Sequence, residues 1–158
     1  PAVTVTQTSE GRIGFTVVWT WDRGWSYNII STYDLNGDGI FNTMETASIF
    51  QDFSAELESF HYFISLSING QKNKIRLIEN FIARATKEQI VSYIFFIPIQ
   101  GKLTDSNTIK FVLNDETITI GFIPDLEIRT RGPFLVSDIN IKNIPPLGVQ
   151  ADFILSEK

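Results

Sequence analysis

Residues 34–45, Asp34-Leu35-Asn36-Gly37-Asp38-Gly39-Ile40-Phe41-Asn42-Thr43-Met44-Glu45, carry more chemical information than any other stretch of the chain. Oxygen-bearing side chains stand at positions 1, 3, 5, 9 and 12 of this segment, and glycine at position 6. That is the full pattern of an EF-hand calcium loop. Calcium is a hard cation that takes roughly six to eight oxygens, so a loop that binds it must turn oxygens inward from all sides. Asp34, Asn36 and Asp38 each offer one side-chain oxygen, and Ile40 its backbone carbonyl. Asn42 contributes directly or through a water, and Glu45 closes the site with both carboxylate oxygens. Gly39, lacking a Cβ, tolerates the positive φ of the sharp turn. The competing reading is a polar Asn/Gly/Asp turn without metal, but such a turn has no use for Glu at position 12. One Ca2+ per chain is therefore expected, held by Asp34, Asn36, Asp38, Ile40, Asn42 and Glu45. Magnesium, which demands a tighter octahedron and keeps its waters, suits this donor set less well.

Other chemistries find little support. The chain has no cysteine, which excludes disulfides, thiol catalysis and iron–sulfur or zinc-thiolate sites. His61 is the single histidine, and without cysteine or a second histidine it cannot build a nitrogen or sulfur transition-metal site by itself. A packing, capping or solvent role is expected for it. No Gly-x-Ser-x-Gly elbow, phosphate-binding glycine loop or His-Glu-x-x-His is present. Glu56 with Glu58, and Asp125 with Glu127, could act as the paired acids of glycoside hydrolysis only if they converged. The first pair falls on different helix faces and the second lies on a strand beside Leu126 and Ile128, so both read as solvated. Trp19 and Trp21 fall on an apolar strand face and are expected in the core; Trp25 could serve as a sugar-stacking platform. No catalytic residues and no organic cofactor site are expected, and the protein is read as a non-enzyme.

The elements that must position the loop are legible on both sides of it. Ile13, Phe15, Val17, Trp19 and Trp21 alternate with Gly14, Thr16, Val18 and Thr20, the period of a strand with one buried face. Asp22-Arg23-Gly24 breaks that pattern. Trp25, Ile29, Ile30 and Tyr33 then recur at helical spacing and lead into the loop. Beyond it, Phe50, Phe53, Leu57 and Phe60, with Ala47 on the same side, form the apolar stripe of an amphipathic helix of about four turns. Asn42 is its expected N-cap, with Glu45 three residues on in capping-box spacing.

From Tyr62 onward the chain turns to short strands. Residues 64–68 alternate and end at Asn69-Gly70, a strong hairpin signal. Further strands are expected over 74–78, 81–85, 90–97, 109–113, 117–122, 126–130, 134–141 and 150–155. The segment 90–97 is apolar on both faces and reads as a central strand covered by a helix. The expected architecture is mainly β: an immunoglobulin-like antiparallel β-sandwich of roughly eight or nine strands, carrying an inserted helix–EF-hand-type loop–helix at about residues 23–60. At 158 residues the chain suits one domain spanning 1–158.

Hydrophobic residues make up 43% and charged ones 20%, so a packed core rather than disorder is expected. The formal net charge of −5 argues against nucleic acid, whose counterions only a basic footprint displaces, and against a polybasic membrane site. No apolar run reaches the ~18 residues of a membrane span, so no membrane insertion is expected. The chain opens on Pro1-Ala2-Val3 without an initiator methionine, which fits a processed or trimmed protein.

The order of these features resembles a bacterial periplasmic family of unknown function, usually labelled an uncharacterised transport-system periplasmic component. The resemblance rests on Trp19-Thr20-Trp21-Asp22, the loop 34–45, Tyr62-Phe63 and Asn69-Gly70-Gln71-Lys72. Phe95-Phe96-Ile97-Pro98-Ile99 and Val112-Leu113-Asn114-Asp115 correspond to later pieces. Members are often encoded beside nickel, cobalt or zinc permeases. The resemblance thus implies a periplasmic or otherwise extracytoplasmic accessory of transition-metal transport, partnered by a membrane metal permease or other protein. Two positions depart from the pattern: the family's His-Pro-His start is Pro1-Ala2-Val3 here, and its Asp-Pro pair is Asp115-Glu116. The expected function is a non-enzymatic extracytoplasmic calcium-binding accessory protein in which calcium is structural. The alternative is a secreted or cell-surface interaction or adhesion module that calcium rigidifies, and a third reading is a carbohydrate-binding β-sandwich using Trp25.

Overall fold

A computed structural model describes residues 1–8, 10–115, 121–122 and 125–158. Alternating sequence patterns become strands, and the two helical stretches become a helix pair between strands. In chain order the elements are β1 (Ala2–Gln7), β2 (Ile13–Thr20), α1 (Arg23–Tyr33), α2 (Thr43–Leu57) and a 3₁₀ segment (Glu58–Phe63). Then follow β3 (Ile64–Ile68), β4 (Gln71–Asn73), β5 (Glu79–Ala85), β6 (Val91–Pro98), β7 (Ser106–Leu113), β8 (Glu127–Thr130), β9 (Phe134–Ile144) and β10 (Gly148–Glu157). Among the described residues the fold is mainly β, with two helices and two five-stranded sheets ordered β5-β6-β2-β1-β8 and β4-β3-β7-β10-β9.

The sheets meet across one core. Phe15 of β2 and Phe111 of β7, one from each sheet, are fully buried with ring centroids 5.7 Å apart. Val17, Phe95, Ile109, Leu113, Phe153 and Leu155 complete the buried layer. Burial of each such side chain contributes about 1.5–3 kcal/mol before the entropy of ordering it is subtracted. Gly14 lets β2 and β6 approach closely: a Cβ there would stand 2.3 Å from the Ile97 carbonyl oxygen.

Most expected strands are present, β6 among them. It lies between β5 and β2, and Phe53 of α2 packs on its Tyr93 and Phe95. At the turn between β3 and β4, Asn69 and Gly70 both take positive φ, 52° and 76°, as a two-residue type I′ hairpin requires. Three expectations need correction. Residues 74–78 are not a strand; they cross from β4, at the edge of one sheet, to β5, at the edge of the other. Their burial does not alternate as a paired strand's would: Ile75 is half-buried, Arg76 and Leu77 are exposed and Ile78 is buried as the chain passes over the rim of the core. The pairing is also not wholly antiparallel: β1 runs parallel to β8, Ala2 facing Glu127 and Val5 facing Thr130. Finally, β1 is a strand absent from the expectations although buried Val3 and Val5 alternate with Thr4 and Thr6, and ten strands are found among the described residues. The strand expected over 117–122 lies largely outside the described residues.

Candidate metal-binding loop

Helix α1 begins where Asp22 caps it, its Oδ1 accepting from the Trp25 N–H at 2.9 Å, and it ends at Asp34. Ser26, fully buried, ties α1 to the sheet: its Oγ accepts from the Val91 N–H at 3.0 Å. Helix α2 starts from the expected cap. Asn42 Oδ1 accepts from the N–H groups of Met44 and Glu45 at 2.9 and 3.1 Å, while Glu45 Oε2 accepts from the Asn42 N–H at 2.9 Å. The reciprocal pair satisfies donors that the first helical turn leaves without partners.

The phase of α2 differs from the sequence expectation. Its buried face is Glu45, Ile49, Phe53 and Leu57, with Phe50 half-buried. Ala47 and Phe60 are exposed. Phe60 falls off the stripe because the α-helix ends at Leu57 and the chain soon leaves right-handed helical geometry, with His61, Tyr62 and Phe63 all at positive φ near 54°.

Between the helices, loop 34–45 is closed by its own acids. Asp34 Oδ1 accepts from the N–H groups of Gly37 and Asp38 at 2.9 and 3.2 Å, and its Oδ2 from Gly39 N–H at 2.9 Å. Asp38 Oδ1 accepts from the Ile40 N–H at 2.8 Å, and Asp38 Oδ2 from the Asn36 side-chain amide at 2.9 Å. Asn36 Oδ1 accepts from the Asp38 N–H at 3.1 Å. Glu45 Oε1 reaches back to the N–H of Leu35 at 2.9 Å, so the twelfth residue grips the second. Gly37 and Gly39 turn the chain at φ 70° and 77°, with open space where a Cβ would stand. Phe41 anchors the loop by burying its ring, and Glu45 is itself only 3% exposed.

Hydrogen bonds thus join Asp34, Asn36 and Asp38 in one web, with Ile40 inside it through its N–H, and Asn42 and Glu45 in a second web that reaches back to Leu35. Every side-chain donor available to a cation here is oxygen, which suits a hard ion, and ionised carboxylates retain lone pairs beyond those the N–H groups use. Among the described residues, however, no three His, Cys, Asp or Glu side chains gather as a metal-holding group. Backbone N–H groups hold the carboxylates in this arrangement.

The remaining candidates are scattered. His61 is exposed and lines a groove of about 630 Å3 together with Lys72, Lys74 and Arg76, a surrounding that repels a metal cation. Glu56, Glu58, Asp125 and Glu127 are all exposed. Trp19 is buried, Trp21 half-buried and Trp25 47% exposed. One polar contact has no sequence signal: the Tyr33 hydroxyl donates to Asp52 Oδ2 at 2.7 Å, joining the end of α1 to the middle of α2. Burial foremost, then this hydrogen bond and the charges of Asp52 and Glu56, push the Tyr33 hydroxyl up to about 12. Burial likewise raises Tyr93.

Comparison with known proteins gives kinship without an activity. The chain is 24% identical over 105 residues to an uncharacterised 15.5 kDa protein in the trpE 3′ region of Spirochaeta aurantia, covering 66% of this chain and 71% of that one. No solved structure matches. Residues 2–123 match the family described as "Protein of unknown function (DUF1007)". That stretch runs from β1 through the helix pair and its loop to the end of β7 and beyond, and the chain belongs to this family.

Proposed function

We propose that this is a non-enzymatic, extracytoplasmic calcium-binding protein, and that one Ca2+ at loop 34–45 clamps an EF-hand-type helix pair onto an immunoglobulin-like β-sandwich. One observation carries the reading: a twelve-residue segment with the complete calcium-loop pattern lies between two helices, with left-handed turns at Gly37 and Gly39, its first, third and fifth side chains tied in one hydrogen-bond web and its ninth and twelfth in another. Asp34, Asn36, Asp38, the Ile40 carbonyl, Asn42 and Glu45 would hold the ion. Bound calcium supplies positive charge that offsets the mutual repulsion of Asp34, Asp38 and Glu45. The chain does the rest. Gly37 and Gly39 let the backbone fold round the site, Phe41 fixes it to the core, and Glu45 couples it to the start of α2. Cytosolic sensors pair such loops; a single loop on a β domain suits a structural clamp.

The transport role rests on the resemblance carried by Trp19-Thr20-Trp21-Asp22 and loop 34–45. It makes the protein an accessory of a transition-metal system, partnered by a membrane permease. His61 among three cations is not the group that would hold a cargo metal. A second reading, an interaction module rigidified by calcium, draws on the edge strand β9, whose Leu135, Ile139 and Ile141 are exposed.

Calorimetric titration should give one calcium per chain with Kd on the order of 10⁻⁵ to 10⁻³ M. At a hundredfold excess over Kd, linkage adds roughly 2.7 kcal/mol, which raises the melting temperature by about 5–10 °C and is reversed by chelator. The double variant Asp34→Ala, Glu45→Ala should lose that rise. Absence of both heat and melting shift in the unaltered protein rejects the site. Binding of Ni2+, Co2+ or Zn2+ would count against the interaction module, which should ignore all three, and a permease gene beside this one would favour the transport role.

A further inference from the structure

A cleft of about 720 Å3 opens between α1, α2 and β6. This lies within the roughly 300–1,000 Å3 typical of small-molecule sites. Its walls are aromatic. Trp21 meets Trp25 at 5.8 Å between ring centroids and 45°, and meets Tyr93 at 5.5 Å and 73°, so the rings present faces in several directions. Tyr33 closes one side. Trp25 is 47% exposed, a large apolar ring left at the mouth instead of in the core.

The charge in the cleft has one sign. Asp52 and Glu56, one turn apart on α2, line it from the same helix face, and no Lys, Arg or His is among its lining residues. Among the described residues neither carboxylate joins an ion pair; Asp52 is met by the neutral Tyr33 hydroxyl. Both carboxylates are exposed to solvent, and a neutral ligand seated here would leave their charge uncompensated. A cation would compensate it, and ring faces attract cations through their quadrupoles. We propose that the cleft is a binding site for a small organic cation, a quaternary or protonated amine, seated against Trp21 and Trp25 with its charge toward Asp52 and Glu56.

Choline and its uncharged carbon isostere, 3,3-dimethylbutan-1-ol, have the same shape and differ in charge, so they test the idea directly on the full chain. Calorimetry and tryptophan fluorescence should show saturable one-to-one binding of choline, with the isostere weaker by roughly tenfold or more. Glu56→Gln and Trp25→Leu, both at exposed positions, should each weaken choline by about fivefold or more while the melting temperature holds. Should Trp25→Leu fail to fold, Asp52→Asn with Glu56→Gln supplies the same comparison. Equal affinity for the two probes would reduce the cleft to an apolar groove. Saturable binding of a neutral sugar in place of choline would make it a carbohydrate site. Either result overturns the proposal, as does no choline binding up to concentrations on the order of 10 mM.

Discussion

At the scale of single residues, charge is managed by backbone donors and by hydroxyls. Glu45 is a carboxylate almost wholly removed from water, and it is tolerated because the N–H groups of Leu35 and Asn42 each meet one of its oxygens. Tyr33 is a residue whose surroundings hold its proton tightly. Its proton is held to about 12 instead of the ordinary 10.0, so between those values the folded chain keeps a proton that the unfolded chain releases. Stability from this group is therefore complete below the ordinary tyrosine value and is lost as pH climbs through about 12. Ultraviolet titration of the phenols should find Tyr33 ionising late. Tyr33→Phe should remove that step and flatten the matching part of the alkaline stability profile.

At the scale of elements, α2 is fastened chiefly by one ring. Phe53 lies 5.7 Å from Trp19, 5.1 Å from Tyr93 and 5.3 Å from Phe81, between ring centroids, and it also meets Tyr62 and Phe95. Phe53→Ala should cost about 3–5 kcal/mol in urea denaturation, because neighbours from several elements cannot all collapse into the space. Phe60→Ala, at a residue that belongs to the same stripe on sequence grounds, should cost far less, since that ring is 49% exposed. The stripe is legible because amphipathic spacing survives in sequence. Its far end is not, because spacing does not announce where α-geometry ends. The Asn42 cap and the Asn69-Gly70 turn are legible too, since each depends on local backbone conformation that few residue types satisfy.

At the scale of the whole molecule, the two halves of the chain depend on each other. The family match ends at residue 123, yet β10 lies between β7 and β9 and pairs with β7 from Val149 opposite Leu113 to Ser156 opposite Ser106. Val149, Phe153 and Leu155 are buried in the common core, and β8 supplies the parallel neighbour of β1. A chain cut after residue 123 should therefore lose cooperative thermal unfolding and gain exposed apolar surface, measured by calorimetry and dye binding. Retention of a sharp, native-like transition would show that the last strands are an addition to a self-sufficient core.

What the sequence determined by itself is local. The calcium-loop pattern, both helices, the capping box, the hairpin turn and most strands follow from side-chain periodicity and from backbone conformations that particular residues favour. The tertiary structure alone decided what depends on residues distant in sequence. The parallel pairing of β1 with β8, the crossing of 74–78 between sheets and the contact of Tyr33 with Asp52 belong to this class. So does the assembly of Trp21, Trp25 and Tyr93 with Asp52 and Glu56 into one cleft. None of these leaves a periodic trace, because each is set by where packed layers bring two segments together, and the free energy that selects it is the burial of the shared core.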